Sequence, residues 1–165
     1  MINIKKLGIL LVGALMLTGC GGTKEEKVNV GITQIIEHAA LDATVEGFKE
    51  ALKDKGYGED KINIEYQNAQ GDFGTAQTIA SSYAQSKKDI VLAVSTPSAQ
   101  AMYNASKDIP ILITAVTDPV SVGLTGENIT GTSDMAPVDK QVELINTLLP
   151  ETKTIGVVYL SLIHI

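Results

Sequence analysis

The chain has one cysteine, Cys20, among its 165 residues. An intramolecular disulfide is therefore impossible, and the fold must rest on a packed apolar core. Positive charge is scarce relative to negative: Lys and Arg number 13 against 19 Asp and Glu, for a formal net charge of −6 at pH 7. Residues 1–19 hold two lysines and no carboxylates, so the chain after them carries −8. That balance argues against nucleic acid as a partner and against electrostatic attachment to an anionic membrane surface. No apolar run approaches the roughly 20 residues needed to cross a bilayer. Tryptophan is absent and aromatics are few, which excludes little. There is no P-loop, no Gly-x-Gly-x-x-Gly and no Gly-x-Ser-x-Gly. His38 and His164 are the only histidines, and no cluster has metal-ligand spacing, so neither a metal nor a cofactor is expected. No convincing Ser/His/Asp set exists, so no catalytic residue is assigned and no enzyme is expected.

What is present begins at the amino terminus. Lys5 and Lys6 precede an almost wholly apolar stretch from Leu7 to Leu17, and small Gly19 precedes Cys20. Residues 1–19 read as a secretory signal peptide. Leu17-Thr18-Gly19-Cys20 resembles the lipobox of bacterial lipoproteins, which implies that the Cys20 thiol carries a diacylglyceryl group and becomes residue one. Two acyl chains hold a protein stably where one would be marginal. Residues 20–27 then form a lipidated tether, flexible through Gly21-Gly22-Thr23. The expected location is the extracytoplasmic face of the cell membrane.

From Val28 onward the apolar period alternates between two and 3.6. Val28, Val30 and Ile32 suggest a strand ending near Thr33; Leu41, Val45, Phe48 and Leu52 suggest a helix terminated at Gly56. Ile62, Ile64 and Tyr66 alternate again. Asp72 is placed to cap a helix with Phe73, Ala76, Ile79, Ala80 and Tyr83 on its apolar face. Ile90–Val94 and Ile111–Ile113 are nearly continuous apolar runs, separated by a helix starting near Pro97. A weaker strand at Ile129–Ser133, a helix through Val138, Val142, Ile145 and Leu149, and a strand at Ile155–Tyr159 complete the pattern. Repeated strand–helix–strand units imply a parallel sheet covered on both faces. Continuous apolar strands belong at its centre and alternating ones tolerate an edge. The expected fold class is α/β, a doubly wound parallel sheet of order 2-1-3-4-5.

In such a sheet ligands bind beyond the carboxyl ends of the strands. Those ends carry Thr33-Gln34, Asn68-Ala69-Gln70-Gly71-Asp72, Ser95-Thr96-Pro97-Ser98, Thr114 to Pro119 and Ser133-Asp134, all neutral or singly acidic. The opposite ends carry Lys61, Lys87-Lys88-Asp89 and Lys107-Asp108. Hydroxyls, amides and isolated carboxylates suit a small-molecule pocket better than a charged rim does. Thr96 is placed as a helix cap with Pro97 as the first helical residue, and Asp118-Pro119 repeats the arrangement. Helix amino termini favour anions, so a carboxylate there would meet Ser95, Thr96, Ser98 or Thr117. Asp118 and Asp134 would face an ammonium group. The candidate ligand residues are Gln34, Asn68, Gln70, Ser95, Thr96, Ser98, Thr117, Asp118 and Asp134. Plain helix capping by Thr96 and Asp118 is the competing reading.

At these loops the sequence resembles the substrate-binding lipoproteins of ABC importers, of the tryptophan/tyrosine type. The resemblance rests on Gly31-Ile32-Thr33-Gln34-Ile35-Ile36-Glu37-His38, Tyr66-Gln67-Asn68-Ala69-Gln70-Gly71-Asp72, Thr96-Pro97-Ser98-Ala99-Gln100, Thr114-Ala115-Val116-Thr117-Asp118-Pro119 and Ser133-Asp134-Met135-Ala136-Pro137. It implies a periplasmic-binding-protein-like (type I) clamp whose two lobes close on a small ligand, an amino acid and often an aromatic one, for delivery to an ABC permease. Residues 28–133 would be the first lobe and 134–165 the start of an incomplete second lobe. Ala39 replaces the proline usual after Glu-His. After Tyr159 relatives usually turn polar, whereas this chain reads Leu160-Ser161-Leu162-Ile163-His164-Ile165 and stops, so a carboxyl-terminally truncated fragment is expected. A ligand-sensing lipoprotein and an enzyme on the same fold are the alternative functions.

Overall fold

In a computed structural model, residues 27–157 are described. The elements run β1 (Val28–Gln34), α1 (Ala39–Asp54), β2 (Ile62–Asn68), α2 (Phe73–Gln85), β3 (Ile90–Val94), α3 (Thr96–Ala105), β4 (Ile111–Val116), β5 (Ile129–Ser133) and α4 (Val138–Leu148). The five strands form one sheet of order β2-β1-β3-β4-β5, and every neighbouring pair is parallel. The order predicted from the apolar pattern is the observed one. β3, an uninterrupted Ile-Val-Leu-Ala-Val run buried from its second residue onward, lies at the centre, and β2, with its alternating Ile62-Asn63-Ile64, lies at an edge. A strand covered on both faces has no solvent side on which to put polar residues.

Each face has its own core. Val30, Ile32, Leu92 and Val94 pack under Val45 of α1, with Leu41 and Phe48 beside them. On the other face Ala76, Ile79, Ala80 and Tyr83 of α2 and Ala99 and Met102 of α3 pack on Val91, Ala93, Ile111 and Ile113. Tyr83 is wholly buried, and its hydroxyl reaches the carbonyl oxygens of Ile32 (3.1 Å) and Glu65 (2.9 Å). Burial pushes its pKa up. The ring lies so close to β1 that a Cβ on Gly31 would sit 2.9 Å from two of its carbons. Glycine is therefore required in the middle of this interior strand.

The helix caps are legible in local sequence. Asp72 accepts from the Thr75 backbone N–H at 2.6 Å, and this bond holds its carboxyl below the usual range. Gly56 adopts φ +83° just beyond α1, and its N–H bonds to the Lys53 carbonyl. His38 caps the start of α1 through Nδ1, which accepts from the Ala40 N–H at 3.2 Å.

Three expectations need correction. β4 extends to Val116 through an irregularity between Ile113 and Val116, where Ala115 takes φ 54°. Gly131 on β5 faces it, and a Cβ there would overlap the Ile113 carbonyl oxygen. Phe73 is the first residue of α2 and is exposed, so the buried face of that helix begins at Ala76. Ile155–Val157 are in no strand, and Val158 and Tyr159 lie outside the described residues. α4, in contrast, forms as predicted, and among the described residues nothing covers it: Val138, Val142, Leu144, Leu148 and Leu149 are all exposed. Among the described residues no helix is long and apolar enough to cross a membrane.

Candidate functional site

The chain leaves β1 toward β2 on one side and places β3 on the other, so the switch of direction falls between β1 and β3. Crossover helices diverge to opposite faces there and open a crevice at the carboxyl ends of the two strands. Thr33 and Gln34 end β1 and pair with Ala93 and Val94 of β3; Ser95 and Ser98 follow directly. Four buried oxygens gather on this stretch without a hydrogen-bond partner: Thr33 Oγ1, Gln34 Oε1, Ser95 Oγ and Ser98 Oγ. Each such group costs about 1–3 kcal/mol when nothing pairs with it. They are the described side-chain atoms in that condition, and they all belong to one end of two adjacent strands.

The start of α3 differs from the expectation. Ser95, not Thr96, is the capping residue, because its carbonyl accepts the first helical bond from the Ala99 N–H at 3.0 Å. Its side chain caps nothing, and its backbone sits at φ 82°, ψ 158°, a region nearly confined to glycine. Thr96 is the first helical residue and Pro97 the second. The first-turn amides of Thr96 and Ser98 have no carbonyl one turn earlier to bond, so the amino end of α3 keeps the partial positive charge expected of it.

The second predicted helix start is not one. Asp118 Oδ1 accepts from the Ser121 N–H at 3.1 Å and Ser121 Oγ donates to the Asp118 carbonyl at 3.1 Å, but residues 119–123 form a turn, closed by Leu124 N–H on the Pro119 carbonyl at 2.8 Å. Gly123 at φ +78° and two valines in the turn oppose helix propagation. Thr117 is exposed beside it. Asp134 is exposed and tied by its backbone N–H to the Val116 carbonyl at 3.1 Å. Asn68 braces the β2–α2 loop: its Oδ1 accepts from the Gln70 N–H at 2.7 Å and its Nδ2 donates to the Tyr66 hydroxyl at 3.1 Å. Gln70 is exposed, with φ 54°.

Gln34 is wholly buried, and both of its amide hydrogens are used. Nε2 donates to the Ile36 carbonyl and to Asp42 Oδ1 of α1, each at 2.7 Å. Asp42 and Thr33 were not among the predicted ligand residues. An acid in the first turn of α1 was the available signal for Asp42, but such acids commonly serve only the helix dipole. Gln34, Asp42, Val45, Glu46, Lys49 and Tyr66 line an open pocket of about 180 Å³. A larger groove of about 750 Å³ runs along the β2 edge past Lys27, Lys53 and Tyr57, away from the strand tips. That groove follows an open sheet edge, and none of the unpaired oxygens borders it. Among the described residues no group of three or more His, Cys, Asp or Glu could hold a metal ion. Cys20 lies outside the described residues.

A doubly wound lobe with polar groups waiting unpaired at its switch point is the architecture of a small-molecule binding protein. The chain belongs to the ABC transporter substrate-binding protein family, whose pattern matches residues 29–163. It is 48% identical to a tyrosine-binding protein of Clostridioides difficile (strain R20291), over 96% of this chain and 53% of that one. Among solved structures, a ligand-free, open substrate-binding protein with adhesive properties from Clostridium difficile is 52% identical with a TM-score of 0.69, over 74% of this chain and 44% of that one. A protein from Streptococcus pneumonia in complex with L-Trp is 34% identical with a TM-score of 0.71, over 76% and 44%. A conserved domain protein from Vibrio cholerae is 42% identical with a TM-score of 0.72, over 76% and 45%. The chain thus spans about half the length of the curated relative it matches.

Proposed function

We propose that the whole protein is an extracytoplasmic, lipid-anchored solute receptor that captures an amino acid, aromatic ones favoured, and hands it to the permease of an ABC importer. It binds and releases its ligand unchanged. The observation that carries this reading is the set of four unpartnered oxygens at the β1/β3 switch point, beside the amino end of α3. A ligand carboxylate at that helix end would take hydrogen bonds from the Thr96 and Ser98 amides and from the hydroxyls of Ser95, Thr96, Ser98 and Thr117. Asp118 and Asp134 stand on the same rim as isolated carboxylates suited to an ammonium group, and Asn68 and Gln70 line the rim beside β2. The relatives support the ligand class, one being named for tyrosine and another holding L-Trp. Residues 28–133 would form the first lobe and 134–165 the start of the second, in which the exposed apolar stripe of α4 would pack. Residues 1–19 would be removed as a signal peptide, with residues 20–27 as the lipidated tether.

The test is calorimetry with L-tyrosine and L-tryptophan on the whole protein. Losing one hydrogen bond to a charged group costs about 1.5–3 kcal/mol, so Thr96→Ala and Thr117→Val should each weaken binding roughly 10- to 150-fold. Unchanged affinity in both returns these residues to structural duty. The anchor has its own test. Wild type should fractionate with membranes and carry a diacylglyceryl mass on Cys20, whereas Cys20→Ala should be unprocessed and unacylated; an unlipidated wild type ends that part of the reading.

A further inference from the structure

Within that reading, we infer that Asp42 is a positioning residue for ligand recognition, and that it makes Gln34 an obligatory acceptor for a donor group on the ligand, the ammonium of an amino acid. The Gln34 amide is fully engaged on its nitrogen side. Its two N–H groups meet the Ile36 carbonyl and Asp42 Oδ1, both at 2.7 Å. Both partners can only accept, so the orientation of the amide follows from its surroundings: the nitrogen, and not the oxygen, faces the Ile36 carbonyl and Asp42. Oε1 is left buried and unpaired. A free glutamine is ambivalent, since rotation about its last bond presents either a donor or an acceptor. This one cannot rotate without breaking two short hydrogen bonds, one of them to a carboxylate.

The consequence is selectivity by unmet demand. A ligand that brings an N–H to Oε1 removes a standing penalty, while one that brings only an acceptor or a methyl group leaves the oxygen desolvated. Sites of this kind reject analogues lacking the donor more strongly than apolar pockets reject a missing methylene. Gln34 lines one pocket together with Asp42, Glu46 and Tyr66, so the neighbourhood of the amide carries carboxylates that suit a cation. Lys49 lines the same pocket, bonded to Glu46 Oε1 at 2.7 Å with its ammonium 5.8 Å from the Tyr66 ring centre, which neutralises one of the two carboxylates and leaves Asp42 uncompensated by it.

The experiment compares each amino acid with its desamino analogue, L-tyrosine against 3-(4-hydroxyphenyl)propanoate and L-tryptophan against indole-3-propanoate, on wild type, Asp42→Ala and Asp42→Asn of the whole protein. Asp42→Ala frees one amide hydrogen and lets Gln34 turn. Amino acid affinity should fall roughly tenfold while the desamino analogue changes less than twofold, so the preference for the ammonium form shrinks by about the same tenfold. Asp42→Asn keeps an acceptor for Nε2 and should retain the wild-type preference to within about threefold. Thermal melts of each variant separate folding from recognition, because a purely structural role lowers both affinities together and leaves their ratio alone. An unchanged ratio in Asp42→Ala overturns the inference. A wild type that binds its amino acid and its desamino analogue equally well also overturns it while sparing the proposed function. A wild type that binds neither amino acid overturns the proposed function and this inference with it.

Discussion

The two ends of the sheet handle their polar groups in opposite ways. At the amino ends several polar side chains tie the strand entries together, and no buried side-chain oxygen or nitrogen among the described residues is left unpartnered there. Asp89 Oδ2 accepts from the Asn29 N–H at 2.7 Å, Asn63 Nδ2 donates to Asn29 Oδ1, and Lys61 Nζ donates to the Gly56 carbonyl at 2.8 Å. Asn128 Nδ2 closes the β4 entry on the Ile109 carbonyl at 2.9 Å. At the carboxyl ends stand the four unpartnered oxygens, and three of the four non-glycine residues with positive φ, Gln70, Ser95 and Ala115. One end is built for stability. The other carries strain and unmet hydrogen bonds, which a protein tolerates where a ligand will settle them.

If that contrast is right, substitutions at the two rims should move stability and binding in different directions. The largest separation is expected from Ser95→Gly. Glycine adopts φ 82°, ψ 158° without strain and removes a buried unpaired hydroxyl, so unfolding by denaturant should show a gain of about 1–3 kcal/mol. Ligand affinity should fall in the same protein. A Ser95→Gly variant that is no more stable would show that the backbone there is not a reservoir of strain.

The reverse behaviour belongs to Asp89→Ala at the amino rim. Removing the acceptor of the Asn29 N–H should cost about 1 kcal/mol of stability and leave ligand affinity unchanged. A loss of binding without loss of stability would erase the distinction between the rims.

The smallest effect concerns pH. Glu65 is held below its usual pKa, first by the Lys88 ammonium that bonds it and then by Gln67 Nε2 at 2.6 Å. A carboxyl whose folded pKa lies below its unfolded value contributes stability that is complete above the unfolded value and disappears as pH falls through the folded one. Wild type should therefore exceed Glu65→Gln in stability at pH 7 and lose that margin as the pH drops below about 4. Glu65 is 43% exposed, so solvent screening keeps the margin under about 1 kcal/mol. Denaturant melts of both proteins across that range measure it, and a margin independent of pH would dissociate the Lys88 contact from Glu65 ionisation.

The exposed apolar stripe of α4 makes a further contrast, with the body of the sheet. Val138, Val142 and Leu149 have the period that made the helix predictable, yet none is buried, whereas α1, with a similar pattern, seats Val45 and Phe48 on the sheet. An amphipathic pattern specifies a helix and the direction of its apolar face. It does not specify what covers that face.

The amino-acid order alone determined the alternation of strands and helices, the central and edge positions of β3 and β2, the cap at Asp72 and the end of α1 at Gly56. These follow from short-range periodicity and from single side chains bonding their own backbone, so local sequence contains the cause. Residue type also marked the carboxyl rim as the polar, weakly charged one. Tertiary structure alone decided that Ser95 caps α3 in place of Thr96, that Asp118 closes a turn, and that Gln34 is locked by Asp42 with its oxygen left free. The first of these depends on how β3 delivers the chain into α3, the second on whether a helix can propagate from a cap. The third depends on a bond between a strand end and a helix face, set by how α1 packs on the sheet and not by any period in the sequence.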